Sequence, residues 1–310
     1  MKEIIYTWEE SLRIDKFLAK ETSFSREHIK KEIENGNIRV NGSIVKPSLK
    51  LKKKDVITIK KPDNDFETII PPQEGKIDIL FEDEEVIVLN KPPKTLTHPT
   101  TKILKDTLIN FLLYRTKLSS IGLPLRPGVV HRLDKDTSGT IVFTKTDRAY
   151  WNLVNQFKER KVKKCYITVV EGNFPPGTKE VSLPLNASRR EPVKRSVNFY
   201  SGKHSLTHFK LLSTSDGYSV VEVHPVTGRT HQIRLILSFL GYPVAGDEKY
   251  GEKSHLIDRQ ALHAYSLSFY HPKTNDFLTF IAKIPDDIKQ LLSKIKINPD
   301  NITKTLCSVK

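Results

Sequence analysis

Cysteine is nearly absent from this chain of 310 residues: Cys165 and Cys307 are the only two, and neither belongs to a CxxC pair. This argues against a disulfide framework and a structural zinc site, so both thiols are expected to be free and reduced. No apolar run approaches the roughly 18 residues of a membrane span, and Met1 to Glu10 lacks a basic start followed by an apolar signal core. A soluble, cytoplasmic protein is the expectation. Internal repeats are missing too. Acidic residues are in short supply, 36 against 51 lysines and arginines, which leaves a formal net charge of +15. An excess of that size favours a polyanionic partner, because Lys and Arg that neutralise phosphates release condensed counterions. RNA, DNA and an anionic membrane surface all satisfy that condition.

The length fits a main domain of about 200 residues with a smaller companion. Hydrophobic residues make up only 37% of the chain, but they fall into short β-like runs and periodic stripes, so disorder is expected only at the ends. Residues 1–61 read as the companion. Ile14, Phe17 and Leu18 form one helical stripe, and Ile29 and Ile33 form a second. Ser25 is placed to cap the second helix, Glu27 suits its first turn, and Gly36 suits its end. Ile38 and Val40 then lead to Asn41-Gly42, a dipeptide favoured in tight hairpin turns, and Val56 to Ile59 supplies a closing strand. This segment holds fifteen Lys and Arg against nine Asp and Glu, a denser positive charge than the remainder. Arg13, Arg26, Lys30 and Lys31 on the helices, with Lys46 and the cluster around Lys53, are placed to track a phosphate backbone. The order Arg13-Ile14-Asp15-Lys16-Phe17-Leu18, Ser25-Arg26, Glu34-Asn35-Gly36, Val40-Asn41-Gly42 and Asp55-Val56-Ile57 resembles the S4 RNA-binding domain. It departs from that pattern at Lys54, where glycine is usual.

Residues 62–76 are polar and Pro-containing and read as a linker. From residue 77 onward, strands are expected at Ile79-Leu80, Val86 to Leu89, Ile141 to Phe143, Tyr166 to Val170, Thr207 to Leu212, Tyr218 to Val223 and Phe277 to Ile284. Helices are expected at Thr107 to Tyr114, Ala149 to Phe157 and His231 to Leu240. Strands outnumber helices and several follow one another directly, so the main domain, residues 77–290, is predicted to be α+β with a mainly antiparallel mixed sheet. Residues 291–310 read as a loose polar tail.

The most informative stretch is Val130-His131-Arg132-Leu133-Asp134-Lys135-Asp136-Thr137-Ser138-Gly139-Thr140, which sets acids in turn chemistry just before a β-rich run. It resembles the HRLDxxTSG motif of the RluA-type RNA pseudouridine synthases. Three further segments match that family in order: Leu80 to Pro99 with Asn90-Lys91-Pro92, Lys163-Lys164-Cys165-Tyr166 with Glu171-Gly172, and Thr227 to Arg234 running on to Gly246-Asp247 and Tyr250-Gly251. Lys94 stands where the family usually has glycine, and Ile236 where it usually has histidine.

The resemblance implies a cofactor-free isomerisation of uridine in RNA, with Asp134 as nucleophile at C1′ or at C6. Such a carboxylate must stay ionised in a dry pocket, and an adjacent cation opposes the effect of burial. By the same resemblance Arg234 is that cation, Tyr166 packs on the base and assists loss of the C5 proton, and Arg132 fills the gap left by a flipped uridine. Members joined to an S4 domain mostly act on large-subunit ribosomal RNA, which makes that the expected partner of a monomer. A non-catalytic ribosome-assembly factor, or the same reaction on transfer RNA, is the alternative. Asp134 and Asp136 have the D-x-D spacing of a magnesium site, but Arg132 would repel the ion, so no metal is expected, and Asp136 is expected to cap its turn. His98, His131 and His231 are expected to be structural.

Overall fold

The computed structural model describes residues 2–22, 26–60, 70–100, 102–188, 191 and 194–306. The chain divides into two compact units, one of residues 1–76, 98–130 and 143–151, the other of residues 77–97, 131–142 and 152–310.

The first unit opens with β1 (Lys2–Ile5), α1 (Ile14–Glu21), α2 (Arg26–Glu34), β2 (Ile38–Val40), β3 (Ser43–Ile44) and β4 (Val56–Ile59). The strands form an antiparallel sheet in the order β1-β4-β2-β3. The two helical stripes meet this sheet in a core of Ile14, Phe17, Leu18, Ile29, Ile33, Ile38, Val40 and Ile57. Asn41 and Gly42 make the tight turn between β2 and β3. Ser25 and the Glu27 side chain lie outside the described residues. So do residues 62–69 of the expected linker, whereas Gln73 and Pro71 are hydrogen-bonded to Asp106 and Asn110 at the start of α3 (Leu108–Arg115).

From residue 77 onward, β5 (Asp78–Glu82), β6 (Val86–Lys91), β7 (Ser138–Thr144), β8 (Lys163–Glu171), β9 (Thr178–Ala187), β10 (Arg195–Val197), β11 (Lys203–Ser215), β12 (Tyr218–Pro225) and β13 (Leu262–Tyr270) build one large sheet. Their order is β10-β9-β11-β12-β8-β13-β7-β6-β5, with β14 (Phe277–Ile281) beside β13. The β13–β7 pairing is parallel and the β9 to β13 ladders are antiparallel, so the fold is α+β with a mixed, mainly antiparallel sheet. The helices are α4 (Asp147–Lys158), α5 (Gln232–Phe239), α6 (Asp286–Lys294) and α7 (Pro299–Thr305).

The sequence reading missed β1, β9, β10 and β13, and it is corrected at the C-terminal end. Residues 291–306 are not a loose tail. Ile288, Leu291, Leu292, Ile295 and Ile302 bury against Val169, Phe209, Val220 and Leu237 in the main core. Asp286 and Asp287 stand in the first turn of α6, and Asn298 caps α7 through the Asp300 N–H, with Pro299 at its first position. The expectation of free thiols fails at Cys165, which is disulfide-bonded; Cys307, the only other cysteine, lies outside the described residues.

Both lysines that stand in place of glycine adopt left-handed backbone: Lys54 has φ 76° and Lys94 has φ 62°. A side chain there costs about 1–2 kcal/mol, partly offset in a glycine variant by the larger entropy of the unfolded chain. Lys54→Gly and Lys94→Gly are each expected to stabilise the protein by about 0.5–1 kcal/mol, read as a higher urea midpoint.

Candidate active site

The stretch from Leu133 to Ser138 has almost no regular structure of its own and is fixed by its neighbours. Thr97 Oγ1 donates to the Leu133 carbonyl at 3.1 Å. The fully buried Lys91 donates to the carbonyls of Pro92, Thr95 and Lys135 at 2.7, 2.7 and 2.8 Å. Burial pushes its amine down to about 7, yet three carbonyl acceptors require all three N–H of an ammonium, which keeps the charged form in place. Arg259, also buried, donates to the Asp136 carbonyl at 3.0 Å while its Nε and Nη2 fork onto Asp287 of α6 at 2.6 and 2.9 Å. Gln260 donates to Thr137 Oγ1 at 3.2 Å, and Ser138 Oγ lies 2.9 Å from His263 Nδ1. The turn itself closes from the Thr137 N–H to the Asp134 carbonyl at 3.2 Å, not on the Asp136 side chain as expected. Gly139 has φ 115°, and a Cβ there would stand 2.1 Å from the Ala264 carbonyl oxygen, so only glycine lets β7 enter its parallel pairing with β13.

Asp134 thereby faces α5. Arg234 Nη1 donates to Asp134 Oδ2 at 2.9 Å, while its Nε and Nη2 donate to Asp247 at 2.7 and 2.6 Å. Burial works against the guanidinium's charge, but the hydrogen bonds and attraction of Asp247, then of Asp134, more than offset it and hold its pKa above the ordinary value. Asp247 is fully buried and also accepts the backbone N–H of Lys249 at 3.0 Å. Its approach depends on Gly246, where a Cβ would stand 2.4 Å from the Arg259 carbonyl oxygen. The turn into α5 is tied by Gln232, whose Oε1 accepts from Thr227 Oγ1 and the Arg229 N–H at 2.8 and 2.9 Å.

Asp134, Arg132, Lys164, Tyr166, His231 and Arg234 line one cavity of about 140 Å³. Burial, and then the Asp134 charge, push the Tyr166 hydroxyl above its ordinary range, so it stays protonated at neutral pH. His231 Nε2 is 3.9 Å from Asp134 Oδ1 and its Nδ1 is 2.8 Å from the Tyr250 hydroxyl; burial lowers its pKa to about 4, leaving it neutral at pH 7. His131, lowered by burial to about 3, accepts the Val142 N–H through Nε2 at 3.0 Å, a structural role. Among the described residues, one group has metal-ligand geometry, Cys165, Glu222 and His224, and the disulfide at Cys165 removes its thiolate as a ligand.

The RNA pseudouridylate synthase family matches residues 85–239, and the S4 domain family matches residues 12–57. An uncharacterized RNA pseudouridine synthase of Bacillus subtilis (strain 168) is 37% identical over 94% of this chain and 96% of its own. The chain belongs to the RNA pseudouridine synthase family. A ribosomal large subunit pseudouridine synthase D of Zymomonas mobilis is 36% identical to the synthase over 93% of this chain and 95% of its own. Human RNA Pseudouridylate Synthase Domain Containing 1 matches its structure with a TM-score of 0.56 and 25% identity, covering 74% of this chain and 98% of that one.

Of the residues named from sequence, Asp134, Tyr166, Arg234 and Arg132 therefore line the same cavity of the synthase. In the S4 domain, Arg13 and Arg26 both bind the fully buried Asp15, at 3.0 and 2.6 Å, with their side chains still 36% and 49% exposed. Lys30, Lys31 and Lys46 are exposed, and Lys53 pairs with Glu9. The sequence reading missed Asp247, Lys91, Arg259 and Tyr250 as parts of the site. Asp247, Lys91 and Tyr250 stood inside recognised motifs, but a side chain that acts through a partner leaves no periodic signal. Removing one side of a buried pair leaves the other charge uncompensated, so Asp247→Ala is expected to destabilise the synthase by about 3–5 kcal/mol in urea unfolding.

Proposed function

We propose that the synthase isomerises a uridine flipped out of large-subunit ribosomal RNA, with Asp134 as its nucleophile. The observation that carries this reading is the shared cavity, where one carboxylate, 18% exposed, meets a buried arginine that a second carboxylate holds in place. The carboxylate opens the reaction, at C1′ or at C6 of the base, and the N1–C1′ bond gives way. The base turns within the cavity, C5 joins C1′, and the C5 proton is exchanged for one at N1. Tyr166 supplies a flat, protonated face for the uracil and lies within reach of that proton transfer. Arg132, at the exposed rim, stacks where the uridine has left. No external group or electron is required, so the reaction runs without a cofactor. Large-subunit RNA is supported by the names of the relatives and by the basic S4 domain.

Asp134→Asn is expected to abolish pseudouridine formation while RNA affinity stays within a few-fold of the parent. Carbodiimide mapping of RNA from a deletion strain, complemented with parent or variant, reads both the reaction and the site. A stop in transfer RNA alone would overturn the ribosomal assignment, and unchanged stops everywhere would favour a binding protein. Replacing Lys30 and Lys31 with Gln is expected to weaken RNA binding and to lower the slope of log affinity against log salt by about two.

A further inference from the structure

The second unit encloses two lysines near Asp134, Lys91 fully and Lys164 only in part, and their surroundings differ. Lys91 spends its three N–H on three carbonyls at 2.7–2.8 Å and holds the loop. Lys164 makes one long hydrogen bond, to the Thr227 carbonyl at 3.4 Å, and among the described residues no carboxylate pairs with it. Lys164 and Tyr166 are two apart on β8, so both side chains leave the same face of the strand and line the Asp134 cavity. Lys164 is only partly buried, and among the described residues its other two N–H have no acceptor, so they are open to a ligand that enters the cavity.

We propose that Lys164 is a further catalytic residue of the synthase: its ammonium donates to a carbonyl oxygen of the target uracil and stabilises the negative charge on the departing base. The inference rests on the reading of Asp134 as the nucleophile of this cavity. When the C1′–N1 bond breaks, its electron pair stays on N1, and the resulting anion spreads its charge over O2 and O4. An Asp134 carboxylate oxygen takes up C1′. On rejoining, C5 attacks C1′ and the carboxylate is released; the C5 proton leaves and N1 takes one up, so atoms and charge balance to an isomerisation. Lys164 neither gains nor loses a proton over the cycle, and its hydrogen bond is strongest while the base is anionic.

The charged and titratable groups around it are Arg132 and Asp134 on the motif loop, Tyr166 beside it on β8, and Arg229, His231 and Arg234 at the start of α5. His131 feels the Lys164 charge and remains neutral. Burial lowers the Lys164 amine to about 8, so its proton is lost as pH rises through that value. Only the protonated form can donate to the anionic base in this way, so activity must fall on the alkaline side.

The test is the single-turnover rate of tritium release from RNA carrying 5-tritiated uridine, followed from neutral to alkaline pH. The parent rate is expected to decline above about pH 8. Lys164→Arg should keep at least a tenth of the neutral rate and lose that decline, since guanidinium stays charged. Lys164→Met should lower the neutral rate by about tenfold to a hundredfold and flatten the profile. Its RNA affinity should stay within threefold of the parent, with a melting midpoint no lower than the parent's. A Lys164→Met rate within twofold of the parent, or one alkaline decline shared by parent and Lys164→Arg, would overturn the proposal. Asp134→Asn is run alongside: if it turns over like the parent, the nucleophile reading fails and takes this one with it, whereas an inactive Asp134→Asn beside an active Lys164→Met removes Lys164 alone.

Discussion

The arrangement depends on one guanidinium shared between two carboxylates. Arg234 is nearly buried, and a lone buried cation would be too expensive to keep; two charge-assisted bonds to Asp247 hold it, and the remaining arm of the fork reaches Asp134. The geometry solves a problem set by the substrate. A carboxylate offered to a polyanion needs a local countercharge, and that countercharge must not turn outward to the phosphates. Asp247 prevents this by fixing the plane of the fork. A lysine could neutralise either carboxylate, but a point charge on a flexible stem cannot fix both directions at once.

Polar side chains from several elements hold the motif loop in the same way. The six residues from Leu133 to Ser138 receive tethers from Thr97, Arg234, Lys91, Arg259, Gln260 and His263, spread over much of the second unit's sequence. A loop held at every residue keeps the position of its side chain as well as a strand would, while leaving the carboxylate exposed to a ligand. Through Arg259 and Asp287 this support extends to α6, so that helix is part of what positions the site. Lys91 commits all three of its N–H to backbone carbonyls, whereas Lys164, two residues before Tyr166, makes one long hydrogen bond to the Thr227 carbonyl.

Much of this was legible in the sequence and some was not, for physical reasons. The small N-terminal unit declared itself through the spacing of Ile14, Phe17, Leu18, Ile29 and Ile33, because each of its helices is buried on one side only. Asp134, Tyr166 and Arg234 were marked by motifs whose residue types suit a buried acid and its partner. β13 was missed because both its faces are covered: eight of its nine residues are buried, with His263, Ser266 and Ser268 among them, so neither alternation nor a clean apolar run survives. The C-terminal helices were missed because polar composition outweighed the signals of Asn298-Pro299 and the Ile288, Leu291, Leu292, Ile295 stripe. The glycine-to-lysine departures at Lys54 and Lys94 were visible as departures, but their left-handed backbone was not.

The most direct test of the central claim is the rate of tritium release by Arg234→Lys, in which the charge is kept and the fork is lost. If the planar fork is what sets Asp134 against its substrate, the rate falls by at least about tenfold with the RNA affinity unchanged. A rate within twofold of the parent would show that charge alone suffices, and that the sharing of Arg234 between Asp134 and Asp247 is not what makes this pocket catalytic.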